Sequence, residues 1–143
     1  MRQTVEITSK RQRVAVIIIH SQKILLLYRY KNGRTYYVIP GGGIEPGELI
    51  EQTAIREVKE ETNLDISLDR KLWEYNNEGH LEHYFLAAEF GGTLRLGGPE
   101  LNEQSPRNVY RLEWIPLSKL NNVPLLPEAI KEKITNEPGL LDK

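Results

Sequence analysis

The stretch from Gly42 to Leu64 constrains this chain more than any other. Read with its lead-in, it runs Pro40-Gly41-Gly42-Gly43-Ile44-Glu45-Pro46-Gly47-Glu48, continues from Leu49 to Ile55, and closes with Arg56-Glu57-Val58-Lys59-Glu60-Glu61-Thr62-Asn63-Leu64. Glu57, Glu60 and Glu61 stand at i, i+3 and i+4, which places all three within about one third of a helix circumference. Like charges at that spacing destabilise an isolated helix by a few tenths of a kcal/mol per pair. Arg56 and Lys59 offset part of this, but from Glu45 to Glu61 six acids face two bases. A hard cation with a preference for oxygen makes such a cluster favourable. Mg²⁺ in particular is usually held by one or two carboxylates, several waters and substrate phosphates.

The loop before the helix supplies what the carboxylates lack. Gly41, Gly42 and Gly43 have no Cβ, so they are expected to turn tightly, reach positive φ and let the backbone approach a ligand or metal. Pro46-Gly47 reads as a second turn. Glu48 precedes the helix, where negative charge suits the dipole. Asn63 follows the last turn, as a residue that tolerates the left-handed C′ conformation.

These residues resemble the Nudix box, the signature of the Nudix hydrolases. The pattern is met by Gly42, Glu48, Arg56, Glu57, Val58, Glu60, Glu61 and Leu64, with Asn63 replacing the usual glycine. The resemblance implies an α/β fold, an α/β/α sandwich with a mixed β-sheet between helices, over residues 1–143 as one domain. It implies a hydrolase of nucleoside diphosphates linked to another moiety, with Mg²⁺ or Mn²⁺ as cofactor and a small nucleotide as substrate. Glu60 and Glu61 would be principal metal ligands, Glu57 a ligand or the base on the attacking water, and Gly41 a carbonyl ligand. Arg56 would orient a carboxylate by ion pairing. Gly42, Gly43 and Glu48 would support the substrate. Family members often recruit a further acid from a later loop; the Gly97–Glu103 segment offers Glu100 and Glu103, with Glu103 preferred.

Outside the box, Arg29 ends a strand beside the glycine loop and is a candidate for a substrate phosphate. Lys31 and Arg34 flank the Asn32-Gly33 turn and read more simply as surface residues. Of Tyr36 and Tyr37, which alternate faces, one is expected in the core and the other beside a base. His20, His80 and His83 share no ligand spacing, and Trp73 and Trp114 sit in apolar strand patterns.

A chain of 143 residues can bury a real core. The net charge of −1 argues against a general nucleic-acid or anionic-membrane binder, and therefore against a role on RNA 5′ ends, which needs a basic channel. The absence of cysteine excludes disulfides and thiolate sites. Val14–Ile19 is too short to span a bilayer and no signal-peptide pattern opens the chain, so the expectation is a cytoplasmic protein. A homodimer is compatible with the family and undecided by the residues. The rival reading, a catalytically silent nucleotide-sensing module, expects lost box carboxylates, and every one is present.

Apolar runs predict a hairpin of Arg13–His20 with Lys23–Tyr30 around Ser21-Gln22. A tight turn at Asn32-Gly33 leads into a strand over Thr35–Ile39. A helix is expected over Leu49–Thr62, with strands near Leu64–Tyr75, Leu81–Phe90 and Val109–Ile115. A last helix covers Glu128–Thr135.

Overall fold

The computed structural model describes residues 12–137 and 139–140. Two four-stranded sheets and flanking helices make up the molecule. Strands β1 (Arg13–Ile17), β5 (Gly41–Gly43), β6 (Asp65–Asn77) and β7 (His80–Gly91) form a mixed sheet in the order β5-β1-β7-β6, with β1 and β7 parallel. The second sheet is antiparallel: β3 (Lys23–Lys31) carries β2 (Ile19–His20), β4 (Arg34–Val38) and β8 (Asn108–Pro116).

Helix α1 (Ile50–Thr62) packs on one face of the mixed sheet. Its Ala54 and Val58 meet Val14, Val16 and Phe85. Helix α3 (Glu128–Thr135) covers the other face, where Ile130 and Ile134 join Ala15, Ile17, Tyr84 and Leu86. Helices therefore lie on both faces of a mixed sheet, as the sandwich requires. A four-residue helix α2 (Pro99–Asn102) and a 3₁₀ turn over Leu117–Asn122 complete the elements. Among the described residues, no helix is long and apolar enough to cross a membrane.

The predicted hairpin forms only at its tip. Ser21 and Gln22 both have positive φ, and Ile19-His20 pairs with Lys23-Ile24. The rest of the first run leaves β3 and enters the mixed sheet instead. The reason is visible in the run itself: Val14 to Ile18 are all buried, so both faces of the strand need cover. A parallel central position with sheet neighbours on two sides and helices above and below meets that demand, and a two-stranded ribbon cannot.

Helix α1 ends as expected, with Asn63 in the left-handed region at φ 68° and its side-chain amide donating to the Thr93 carbonyl at 2.7 Å. The glycine loop does not behave as expected. Gly41–Gly43 form an extended strand paired with β1 and are absent from the positive-φ positions. Their requirement is steric. A Cβ on Gly41 would stand 2.1 Å from the Val14 carbonyl oxygen, and one on Gly42 would stand 2.2 Å from the Glu57 carboxyl.

Candidate active site

Strand β5 lies against helix α1, so the glycine run brings bare backbone up to the carboxylate face. Arg56 is the hub on the outer side. Its Nε and Nη2 both donate to Glu48, the latter at 2.9 Å. Nη1 reaches Glu57 at 3.0 Å and Glu60 at 3.2 Å, and Nη2 also donates to the Gly43 carbonyl at 3.1 Å. Glu48 further accepts from the Thr53 hydroxyl at 2.7 Å and the Glu45 N–H at 3.1 Å. The hydrogen bonds from Arg56 chiefly, aided by those of Thr53 and Glu45, pull the Glu48 carboxyl down to about 2. Glu48 is thus a clamp on Arg56 and does not border the cavity described below.

Glu61 lives in the opposite environment. It is 5% exposed and accepts a hydrogen bond from the Gly41 N–H at 3.1 Å. Burial pushes its carboxyl up to about 7; the neighbouring Glu100 adds to this, while Arg13 opposes it. Glu57 is also raised, by burial first and by Glu60, with Arg56 pulling against them. Among the described residues, no three carboxyl or imidazole groups converge into a ready-made cation cage. Arg56 draws Glu57 and Glu60 outward, and Glu61 turns inward to Gly41. The donor set still suits a hard divalent ion: all its atoms are oxygens, and a buried carboxyl without a close ion pair is stabilised by gaining a cation.

A cavity of about 420 Å³ opens beside Glu61 and Gly41, bordered by residues of both sheets. Arg29 borders it from the second sheet, not from a strand beside the glycine run; its guanidinium lies 3.8 Å from the Tyr110 ring centroid and 5.7 Å from that of Tyr36, with Nη2 donating to Asn108 at 2.7 Å. Tyr36 faces the cavity, while Tyr37 packs on the core and donates to Glu113 at 3.0 Å. The later-loop acid beside Glu61 is Glu100 and not the preferred Glu103. Glu103 ends the short helix facing Tyr110, whose hydroxyl lies 3.3 Å from its carboxyl. The turn Gly98-Pro99 starts α2 one residue before Glu100, and that register decides which acid points inward. Gly42 and Gly43 shape the wall behind Glu57 and Arg56 without bordering the cavity. Lys31 and Arg34 are exposed, Trp73 and Trp114 pack against the two cores, and His83 is buried with Nε2 2.7 Å from the Gln12 amide oxygen.

Sequence reading missed Arg13 and Glu82. Arg13 borders the cavity and donates to the Ile39 carbonyl at 2.8 Å. Glu82 stands opposite Arg13 in the register of β1 and β7, without an ion pair between them within 4.0 Å, and is 7% exposed. A signal existed: each is a charged residue within an apolar strand run, on the same alternating face as Ala15 or Tyr84.

The whole arrangement has recognisable relatives. The NUDIX domain family model matches residues 9–136. A NAD-capped RNA hydrolase, NudC, of Vibrio atlanticus is 30% identical over 127 residues, 86% of this chain and 44% of that protein. An ADP-ribose pyrophosphatase of Methanocaldococcus jannaschii is 35% identical over 57% of this chain and 52% of that protein. A putative 8-oxo-dGTP diphosphatase of Bacillus subtilis is 32% identical over 59% of this chain and 57% of that protein. The chain spans about half the length of these curated relatives. Among solved structures, MutT from Aliivibrio salmonicida and Vibrio cholerae has a TM-score of 0.70 at 22% identity, covering 87% of this chain and 95% of that one. A NUDIX hydrolase from Clostridium perfringens has a TM-score of 0.69 at 22% identity, covering 93% and 97%. At those identities the likeness is one of fold.

Proposed function

This chain belongs to the NUDIX family, and from that premise we propose that it hydrolyses the diphosphate linkage of a nucleoside diphosphate joined to another group. Nudix hydrolases generally work with divalent metal ions; here we assign Mg²⁺ or Mn²⁺, held by Glu57, Glu60, Glu61 and the Gly41 carbonyl. The observation that carries this reading is Glu61, a buried carboxyl raised to about 7 at the mouth of a cavity large enough for a nucleotide. When bound, the cation supplies Lewis-acid polarisation of phosphoryl oxygens and lowers the pKa of water.

The chain's own residues do the rest. Glu57 has a raised carboxyl and is positioned from below by Arg56, which suits it to take a proton from the attacking water. Arg56 is a positioning residue, itself fixed by Glu48 through two hydrogen bonds. Arg29 and Arg13 border the cavity and would neutralise phosphate charge. Glu100, next to Glu61, is the later-loop acid of the site. Water attack at one phosphorus releases a nucleoside monophosphate and the other phosphorylated half. The relatives' names span NAD-capped RNA, 8-oxo-dGTP and ADP-ribose, and a nucleoside diphosphate unit is common to all three.

The test is turnover. Purified protein is incubated with Mg²⁺ or Mn²⁺ and nucleoside triphosphates, dinucleotides, nucleotide sugars and ADP-ribose, and products are read by mass. Metal-dependent cleavage lost in Glu60→Gln/Glu61→Gln supports the reading. Nucleotide binding without cleavage of any substrate contradicts it and revives the sensing module.

A further inference from the structure

The same cavity is bordered by a carboxyl of a different kind. Glu82 is 7% exposed and borders the cavity, yet both its partners are neutral donors. The Tyr84 hydroxyl donates to Oε1 at 2.5 Å and the Asn77 amide donates to Oε2 at 3.1 Å. Among the described residues, no lysine or arginine pairs with Glu82 within 4.0 Å. Two donors fill about half of the roughly four acceptor positions of a carboxyl. Its orientation is fixed twice over: β7 carries both Glu82 and Tyr84 on one face, and Asn77 lies at the end of the paired strand β6. The hydrogen bond to Glu82, after burial, holds the Tyr84 phenol in its protonated, donating form.

A buried carboxyl that keeps free acceptor positions toward a cavity costs stability unless something in the cavity donates to it. A diphosphate has no donors to give. Donors come from the other part of a nucleotide, as vicinal sugar hydroxyls or the N–H edge of a base. The same cavity is also bordered by Tyr36, Tyr110 and the guanidinium of Arg29, which pack on one another and offer a planar surface that suits an aromatic ring.

We propose that Glu82, locked by Tyr84 and Asn77, is a specificity-determining residue that accepts hydrogen bonds from a paired donor group on the nucleoside part of the substrate. The site therefore selects nucleotides that present such a pair. This rests on the cavity being the substrate site of the proposed hydrolase. A site built around a hydrogen-bond acceptor discriminates strongly against ligands lacking the donor, because its own group is then left unpaired.

The test removes donors from the ligand before touching the protein. Binding of α,β-methylene analogues of guanosine, inosine, 2′-deoxyguanosine and 2′,3′-dideoxyguanosine diphosphates is measured with Mg²⁺ by calorimetry, and turnover of the matching triphosphates is measured in parallel. Loss of a donor from the pair is expected to weaken binding and kcat/KM by roughly ten- to a hundredfold. A penalty for inosine over guanosine places the base edge on Glu82; a penalty for the deoxy sugars places the hydroxyls there. In Glu82→Gln, that discrimination is expected to fall to within about threefold. Equal binding of all four analogues, or an equal drop for every ligand in Glu82→Gln, overturns the proposal and leaves Glu82 as a structural partner of Tyr84. Discriminating binding without turnover refutes the hydrolase and keeps this assignment; turnover without discrimination does the reverse. The ligand series stays readable if Glu82→Gln does not fold.

Discussion

Glu48 and Glu61 come from the same short motif and are governed by opposite physics. Glu48 sits partly exposed in the fork of Arg56 and is held down to about 2. Glu61, thirteen residues on at the other end of the helix, is buried, has no ion pair within 4.0 Å among the described residues, and is raised to about 7. Identical side chains thus divide into a clamp, whose charge is satisfied within the protein, and a carboxyl that gains from a cation brought from outside. Counting acids along a motif does not separate the two; hydrogen-bond partners do.

The sharpest way to break this contrast is to neutralise each carboxyl in turn. Glu61→Gln is expected to lower kcat by at least about 100-fold with the fold intact, as for loss of one electrostatic catalytic group. Glu48→Gln acts on the site through Arg56 and is expected to cost about tenfold. Steady-state kinetics at saturating metal decides; equal losses would erase the distinction.

Two neighbouring glycines sharpen it next. Gly41→Ala drives a Cβ into the Val14 carbonyl at 2.1 Å, a backbone clash that cannot be relieved by rotation. It is expected to destabilise by about 2–3 kcal/mol. Gly42→Ala meets the movable end of Glu57 at 2.2 Å, so stability should change by less than about 1 kcal/mol while activity falls. Thermal melts beside initial rates test the pair.

Arg56→Ala removes the hub. Several of its partners are part-exposed, so solvent discounts the loss to about 2 kcal/mol, a Tm drop on the order of 5 °C for a chain this size. Arg56→Lys keeps the charge but not the fork, and should recover less than half of it.

The smallest effect is a pair of opposite pH slopes in the metal-free protein. Glu61 binds its proton more tightly when folded. Stability from this group therefore falls as pH rises from about 4.5 to about 7, and Glu61→Gln should flatten that window. Glu48 is depressed, so its contribution is present above about 4.5 and lost as pH falls toward 2. Glu48→Gln should flatten the acid limb alone. Denaturant midpoints across pH separate the two.

Much of this was legible in the residues. The helix from Leu49, its left-handed stop at Asn63, the Asn32-Gly33 turn and the last helix over Glu128–Thr135 follow from local chemistry and are present as read. What local chemistry did not carry is sheet membership. Whether β1 pairs with β3 or with β7 depends on strands more than sixty residues away, and the extended form of Gly41–Gly43 depends on β1 lying beside it in the sheet. The same holds in the site. Arg13, Glu82 and Glu100 reach the cavity only because three distant segments meet there, and the choice of Glu100 over Glu103 turns on the register of a four-residue helix.

Mn²⁺ binding as a function of pH, followed by EPR on the unaltered protein, Glu61→Gln and Glu48→Gln, tests the central claim most directly. The account predicts that affinity falls as pH drops through about 7, as Glu61 takes up its proton. It further predicts that Glu61→Gln abolishes this dependence along with most of the affinity, and that Glu48→Gln retains the dependence. Binding that is independent of pH between 6 and 8, or unchanged in Glu61→Gln, would contradict it.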